Sequence, residues 1–383
     1  MTQISNNVTG IYFKQLAQNK TNSASNIPVD TSQYSRDNLI KQYLDNIALQ
    51  NKPQILGDNS KPIFTPTGIG DYENMLVKDA TGKVVQEVKY TKEGNKIVET
   101  VNVNSVDGSK LNKVITQDGN KKTMSINVKD KNGNDLINEN RTYEKIDDDN
   151  AISTHNGQEY KISGLKGNVI TVEHNGEKKV IDFEKMVNPE TEKLDQSKTG
   201  NTITNEQKDF LISRLKNRSG DILLTIDKEL DKLTFMDEKG YEGWYVGYQD
   251  STERTLKTCA EANNMLELHE LGHGVNEFND KSGKCWSDVN QEYHSVRDKE
   301  IETFNQTNKS SDYKQYMQKF MNGEHMLSRG FSKEECKLVG ANEEFAEAYG
   351  FFNNMDIENV NFKTTSLVQH MPESVRMVHS QIS

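Results

Sequence analysis

The middle of the chain alternates apolar and polar residues in short segments. Residues 83–90 (KVVQEVKY) and 123–128 (TMSINV) carry β-branched and other apolar side chains with the two-residue period of a strand. Turn pairs that end in glycine separate such segments between residues 71 and 184: Thr81-Gly82, Glu93-Gly94, Asp107-Gly108, Asp118-Gly119, Asn132-Gly133, Asn156-Gly157 and Asn175-Gly176. Hairpins commonly turn on such pairs, so the pattern predicts an antiparallel β-meander built as an imprecise repeat.

Apolar residues are sparse on these predicted strands. We therefore expect an open, single-layer sheet with two solvated faces, whose edges can pair with a partner chain. His155 and His174 stand alone among the turns and are expected at the surface. The region contains no set of residues with catalytic or metal-binding spacing, so its expected role is spacing or recognition.

Changes of composition divide the chain into four parts. Residues 1–68 are polar, with prolines typical of a linker, and predict a flexible N-terminal tail. Residues 69–186 form the β-rich repeat domain, and the polar residues 187–203 form a second linker. Residues 204–383 mix helical and strand patterns after the predicted sheet, so the expected fold class is α+β.

The C-terminal part begins with a helix signal. Residues 204–207 (TNEQ) have the spacing of a capping box, and the helix that they open is expected to run to about Arg218. Residues 222–225 and 232–236 are apolar enough for short strands or a helix end. Residues 243–248 (GWYVGY) predict a strand, which is the expected edge strand for binding an extended substrate.

The most informative segment is HELGH, which lies in the proline-free residues 260–275 with helical periodicity. In a helix His269 and His273 share one face, so both imidazoles can bind one metal ion while Glu270 reaches a water that the metal activates. Gly272 costs about 1 kcal/mol of helix propensity, and a helix that only packs would gain nothing from it. The alternative is an amphipathic core helix that carries two histidines by chance.

A catalytic zinc site needs a third protein ligand and an open position for water. The metzincin spacing is disfavoured because Asn276 and Asn279 occupy its glycine and third histidine positions. The other solution is a glutamate on a second helix, which residues 342–349 (NEEFAEAY) supply. Glu343 and Glu347 are four apart, so Glu343 can face the metal while Glu347 accepts a hydrogen bond from a ligand imidazole.

HELGH, followed by NEEFAEAY and by residues 370–378 (HMPESVRMV), resembles the catalytic domain of the anthrax lethal factor-like metallopeptidases. This gluzincin family also includes the Pro-Pro endopeptidases. The resemblance runs from Thr204 to the end of the chain and implies a zincin-like catalytic domain with one Zn²⁺ per chain. The zinc ligands that it implies are His269, His273 and Glu343. It also implies Glu270 as the general base and Glu347 as a support for the site.

One position departs from that family. A tyrosine that helps to stabilise the oxyanion usually lies seven residues before the glutamate ligand, where this chain has Cys336. Another donor among Tyr349, His325, Arg329 and His370 takes the role, or the loop is rearranged, or the enzyme is weaker than its relatives. The loss of one oxyanion donor typically lowers the rate by about 10²–10³. Cys336 itself is expected to be a buried, small apolar residue.

Two further residues near the motifs, His294 and Glu344, have side chains of types that bind metal ions. His294, with Asp298 four residues on, is an alternative third ligand, but its charged surroundings indicate a solvated helix face. Glu344 points away from Glu343 on the helix and is expected in solvent.

The chemistry expected of such a site is peptide-bond hydrolysis. Zinc acidifies water and polarises a carbonyl, and Glu270 carries the proton to the leaving amine. The expected function is therefore that of a zinc metalloendopeptidase acting on a protein or peptide substrate. The alternative is a binding or structural protein that uses the β-repeat domain and carries a catalytically impaired zinc site.

Composition excludes several other classes. Hydrophobic residues make up 33% of the chain and the mean hydropathy is -0.84, so part of the molecule is expected to have a thin core or none. A net charge of -11 argues against a nucleic-acid partner. The 3 cysteines, Cys259, Cys285 and Cys336, are too few and too scattered for a disulfide framework.

The chain shows no segment apolar enough to span a membrane and no basic start followed by an apolar stretch, so a Sec signal peptide is not expected. The polar opening residues fit a leaderless export signal. Together with the family resemblance, they favour a secreted bacterial protease, effector or toxin that is exported by a non-Sec route, into host cells in the case of an effector. A cytoplasmic location is the alternative.

Overall fold

The computed structural model describes residues 62–193, 200–236, 243–247, 253–259, 264–278, 282–307, 317, 322–323, 326–327, 330–359 and 362–383, with the backbone alone at 243–246 and 363. The predicted tail and export signal lie almost wholly outside these residues, as do His325 and Arg329. The first strand, β1 (Ile63–Pro66), falls inside the segment that was predicted to be tail, so regular structure begins earlier than expected.

An antiparallel sheet of eleven strands forms the first half of the described chain. After β1 it continues with β2 (Glu73–Lys78), β3 (Val84–Glu93), β4 (Lys96–Asn104), β5 (Lys110–Asp118), β6 (Lys121–Lys129), β7 (Asp135–Lys145), β8 (Asn150–His155), β9 (Gln158–Ser163), β10 (Val169–His174) and β11 (Glu177–Asp182). Strand order follows sequence order from β1 to β11. The predicted meander is therefore confirmed.

The predicted turn pairs form the connections of this meander. The glycine of each pair has a positive φ, as at Gly157 (83°) and Gly176 (82°). Asn156 and Asn175, which precede these two glycines, also have positive φ values of 47° and 51°. Two successive residues in this region are typical of the type I′ turn, whose twist matches that of the paired strands.

One face of the sheet is buried, which corrects the prediction of two solvated faces. Val101 and Ile126 are fully buried, and the inward positions of the strands alternate with exposed or half-exposed ones. The inward face also carries charged residues, among them Glu139 and Arg141. Because charged residues occupy some of the inward positions, the sequence of these strands is less apolar than their burial would suggest.

The outward face carries rows of small polar side chains that cross the strands. Paired positions on β4 to β8 supply one row of asparagines and one of threonines: Asn102, Asn112, Asn127 and Asn138, and Thr116, Thr123, Thr142 and Thr154. Within the rows the Asn112 amide donates to Asn102 Oδ1 at 2.8 Å, and the hydroxyls of Thr142 and Thr154 lie 2.8 Å apart. Such cross-strand pairs stabilise a face that meets water.

Helices and a small second sheet form the remainder. The helices are α1 (Phe183–Met186), α2 (Asn205–Lys216), α3 (Gly220–Glu229), α4 (Asn264–Asn276), α5 (Trp286–Val289), α6 (Gln291–Thr307), α7 (Lys333–Asn353), α8 (Phe362–His370) and α9 (Pro372–Ile382). The second sheet contains β12 (Lys232–Phe235), β13 (Gly243–Val246) and β14 (Thr255–Thr258) in the order β12-β14-β13. In the part of the chain described, no helix is both long and apolar enough to cross a membrane.

Local signals explain where two helices start. The Thr204 hydroxyl accepts from the Gln207 N–H and the Gln207 side chain accepts from the Thr204 N–H, which confirms the predicted capping box of α2. Ser332 and Glu335 form the same arrangement at the start of α7. Residues 222–225, for which short strands were one expectation, lie within α3 instead.

The large sheet and the helices share one hydrophobic core, so the molecule is a mixed α+β structure. Gln86 on β3 donates to Gln369 on α8 at 2.5 Å, inside this core. His155, expected at the surface, lies instead between Glu139 and Asp221 with its two ring nitrogens each 3.2 Å from a carboxylate oxygen. The inward face of the sheet is thus the surface on which the helices pack.

Candidate metal centre

The centre lies where α4 and α7 approach closely. A Cβ added at Gly272 would lie 2.8 Å from Ala346 Cα and 2.9 Å from Tyr349 Cβ, well inside van der Waals contact. From α7, Gly350 faces the backbone of α4, where an added Cβ would lie 3.2 Å from His269 N. The glycine in HELGH therefore has a packing role, contrary to the argument that a packing helix gains nothing from it.

Three side chains converge at this crossing. His269 Nε2 lies 3.4 Å from Glu343 Oε2, and His273 Nε2 lies 3.9 Å from Glu343 Oε1. One ligand atom from each of the three residues lies within 4.8 Å of the other two. Ligand atoms at zinc distances and tetrahedral angles are about 3.4 Å apart, so modest adjustment would complete the geometry.

Outer hydrogen bonds fix both imidazole rings. His269 Nδ1 lies 3.1 Å from Glu347 Oε2, and the Thr364 hydroxyl on α8 donates to the other oxygen of Glu347. His273 Nδ1 lies 2.9 Å from Asn342 Oδ1. Each Nδ1 is bonded to an acceptor, so both Nε2 atoms face Glu343. Metal-binding histidines commonly use one ring nitrogen for such an outer hydrogen bond and the other for the metal.

Sequence reasoning missed Asn342 and the residues behind it. The Asn342 side-chain oxygen also accepts from the Asn276 amide at 2.9 Å, and that amide donates to Ser287 Oγ at 2.7 Å. Asn276 Oδ1 in turn accepts from the Ser287 N–H at 3.0 Å. The available signal was the position of Asn342 beside Glu343, one residue before a predicted ligand on the same helix.

Without a metal ion, the carboxylates stabilise a charged His269. Burial alone would lower the pKa of His269, but the hydrogen bonds that its ring donates to Glu343 and Glu347, together with the charge of Glu270, raise this pKa well above its usual value. A metal ion carries the positive charge in place of that proton, so binding would release a proton from His269.

Two other acidic residues of these helices, Glu270 and Glu344, lie in different surroundings. Glu270 is 7% exposed on α4, next to His269, where its charge acts on that ring. Glu344 was expected in solvent, but it is fully buried and its carboxylate accepts from Arg297 Nε at 2.5 Å. It faces α6 and serves packing between helices, because its partner Arg297 lies on that helix.

Two of the expected oxyanion donors, Tyr349 and His370, are among the described residues. Tyr349 is six residues beyond Glu343, about 240° around the helix, and burial raises the pKa of its hydroxyl beside Arg141 and Asp221. Tyr349 therefore lies on a different face of α7 from Glu343. His370 packs against Phe304 with ring centroids 5.0 Å apart, and burial lowers its pKa to about 3. His325 and Arg329 are not among the described residues.

Two other expectations concern cysteine and histidine. Cys336 lies in an apolar cluster with Met326, Phe331 and Val339, so the expectation of a buried apolar role is confirmed. All three cysteines are buried, and none forms a disulfide. His294 Nε2 lies 3.2 Å from the Asp288 carbonyl oxygen, away from the converging ligands. Among the residues described, the group around Glu343 is the one set of side chains with metal-binding spacing.

No protein-family model, no curated protein and no solved structure matches this chain. The resemblance to the lethal factor-like metallopeptidases therefore depends on the motif residues alone. What can be said of function comes from the geometry of the α4 and α7 crossing.

Proposed function

We propose that this chain is a zinc-dependent metalloendopeptidase that hydrolyses peptide bonds in a protein or peptide substrate. The observation that supports it most is the convergence of His269 and His273 with Glu343, which follows His273 by 70 residues in sequence. One ligand atom from each of the three residues lies within 4.8 Å of the other two. Two nitrogens and one carboxylate leave a fourth tetrahedral position open, as catalytic zinc sites do.

The donor set fits zinc better than a harder cation, because imidazole is a poor ligand for magnesium and calcium. When bound there, zinc would acidify a water molecule and polarise the substrate carbonyl. Glu270 accepts the proton of the attacking water on its carboxylate and returns it to the amine leaving group. Glu347 and Asn342 keep the two rings in the orientation that this reaction requires.

The substrate is proposed to bind along β13. This strand is at the edge of the three-stranded sheet and lies beside α4, the helix that carries both histidines. An extended peptide can add to such an edge through main-chain hydrogen bonds, with its carbonyl presented to the metal centre.

The test combines zinc analysis with a fluorescence-quenched peptide library. We expect the wild-type chain to hold one zinc ion and to cleave, with loss of cleavage in a chelator. Glu270→Gln should keep its zinc and lose at least about 10²–10⁴-fold in kcat, because only the proton carrier is removed.

Glu229→Gln is the control, since it removes a buried carboxylate from α3, one that pairs with Arg254 outside α4 and α7. It should lower stability and retain cleavage. Bound zinc without cleavage across the library in the wild-type chain would contradict the proposal and would favour a binding or structural protein with an impaired site.

A further inference from the structure

The metal-binding helix is capped from a distant part of the chain. The carboxylate of Glu358 accepts from Asn264 N at 2.8 Å and from Met265 N at 3.2 Å, the first two amides of α4. The first amides of a helix have no partner within it, and a negative charge there complements the helix dipole. Glu358 therefore fixes the start of α4, five residues before His269.

Glu358 is itself held by the large sheet. Tyr90 on β3 donates from its hydroxyl to the Glu358 carbonyl at 2.6 Å. Beside Tyr90, Glu99 on β4 is 3% exposed; burial raises the pKa of its carboxyl to about 7, and Lys113 and the Glu358 N–H act in the opposite direction. Both partners belong to the inward face of the sheet, so the capping residue has no freedom to move independently of it.

Lys113, which lies near Glu99 in the sheet, contacts α7, the helix that carries Glu343. Lys113 on β5 is 3% exposed and interacts electrostatically with Glu99. Its ammonium donates to the Phe351 carbonyl at 2.5 Å and lies 4.5 Å from the centre of that residue's ring. Phe351 belongs to the last turn of α7, where a positive charge is favourable for the helix dipole.

A second set of contacts anchors the same loop. Asp356 accepts from Arg218 Nη1 at 3.2 Å and pairs with Lys122 on β6. Arg218 Nη2 also donates to Glu267 on α4 at 3.1 Å. The loop that carries Glu358 is thus tied to the sheet on one side and to α4 on the other.

We infer that Glu99, Lys113 and Glu358 are positioning residues for the metal centre, and that the large sheet uses them to set α4 against α7. This inference rests on the proposed function. Lys113 fixes the end of the glutamate helix through its bond to the Phe351 carbonyl. Glu358, which the sheet holds in place, fixes the start of the histidine helix. The sheet is then part of the catalytic scaffold and not a separate spacer or recognition module.

The test compares three isosteric changes on the full chain: Glu358→Gln, Glu99→Gln and the control Glu229→Gln. Glu229 is 3% exposed at the end of α3, and its carboxylate pairs with Lys228 and Arg254, which lie outside α4 and α7. The readouts are the zinc Kd, from competition with a chromophoric chelator, and the visible spectrum of the Co²⁺-substituted protein, after circular dichroism has shown that each variant is folded.

We expect Glu358→Gln and Glu99→Gln to raise the zinc Kd about tenfold and to alter the Co²⁺ spectrum, because outer contacts of metal ligands commonly contribute 10–100-fold. The control should lower the melting temperature and leave both readouts unchanged. Should Glu358→Gln fail to fold, Lys113→Met, which keeps the aliphatic packing over Phe351, takes its place beside Glu99→Gln.

Equal Kd values and spectra in wild type, both test variants and the control would overturn the inference while leaving the peptidase proposal intact. A wild-type chain that binds neither Zn²⁺ nor Co²⁺ would instead defeat the proposed function itself. The two failures are therefore distinguishable in the same set of measurements.

Discussion

The two histidines of the centre use their Nδ1 atoms in different ways. His269 faces a carboxylate, Glu347, whereas His273 faces a neutral amide oxygen, that of Asn342. The carboxylate favours the charged form of His269, while Asn342 is constrained by its own bond from Asn276. Orientation of His273 thus depends on a chain of neutral hydrogen bonds.

The change Asn342→Ala tests this chain of bonds. It removes the acceptor of His273 Nδ1 and of the Asn276 amide, so we expect the zinc affinity to fall about 10–100-fold. Asn353→Ala is a close control because Asn353 is on the same helix and equally buried, at 5% exposed, but bonds only within α7, to the Tyr349 carbonyl. Isothermal titration with zinc measures both variants, and equal affinities would contradict the account.

At the scale of elements, the crossing of α4 and α7 determines whether the three ligands meet. Gly272 lets the helices approach until its missing Cβ would overlap Ala346 and Tyr349. Interiors are close-packed, so added volume there moves a helix or strains it. The approach of the two backbones is therefore as important to the centre as the ligands themselves.

Gly272→Ala should separate the helices by a few tenths of an ångström or more. We expect the free energy of unfolding to fall by about 1–3 kcal/mol, which is the usual cost of overpacking a core. Zinc binding should also become weaker. Gly350→Ala should have smaller effects, because its nearest neighbour is the flexible Met265 Cε at 3.0 Å. Chemical denaturation and zinc titration rank the two variants, and the reverse order would contradict this packing argument.

Sequence reasoning identified the two helices and the meander because their signals are local. The spacings of HELGH and of Glu343 and Glu347 within their helix, and the glycine turns, need no knowledge of the rest of the chain. The buried face of the sheet was missed because inward residues such as Lys113 look solvated in sequence. Its partner, the Phe351 carbonyl, is 238 residues away, and such pairings are not visible in a pattern.

The same limit explains the errors at single residues. Glu344 was expected in water because its helix is charged, but Arg297 on α6 gives it a buried partner. His155 looked isolated among turns, while its partners Glu139 and Asp221 lie on another strand and on α3. Each error concerns a polar residue whose burial is made favourable by a partner distant in sequence.

At the scale of the whole molecule, the sheet and the helices share a core that contains many ionisable groups. Burial raises the pKa of Asp288 and that of Glu300 to about 7, from ordinary values of 3.8 and 4.5. The folded protein therefore keeps protons that the unfolded chain has already released. Stability is coupled to pH through these two carboxyls.

The sign of this coupling gives a prediction. Between about pH 4 and 7 the folded state binds more protons than the unfolded state at these sites, so the free energy of unfolding falls as pH rises. Each such carboxyl changes the free energy of unfolding by at most about 1.4 kcal/mol per pH unit. Asp288→Asn should therefore flatten the decline between pH 5 and 7 in urea denaturation with chelator present. Parallel curves for variant and wild type would count against a buried, protonated Asp288.

The account depends most on the claim that His269, His273 and Glu343 bind one zinc ion. X-ray absorption at the zinc K-edge of the reconstituted protein measures this directly. We predict one zinc per chain with only nitrogen and oxygen neighbours at about 2.0–2.2 Å and with the multiple-scattering signature of two imidazoles. Absence of stoichiometric zinc, or sulfur neighbours at about 2.3 Å from the cysteines, would contradict it.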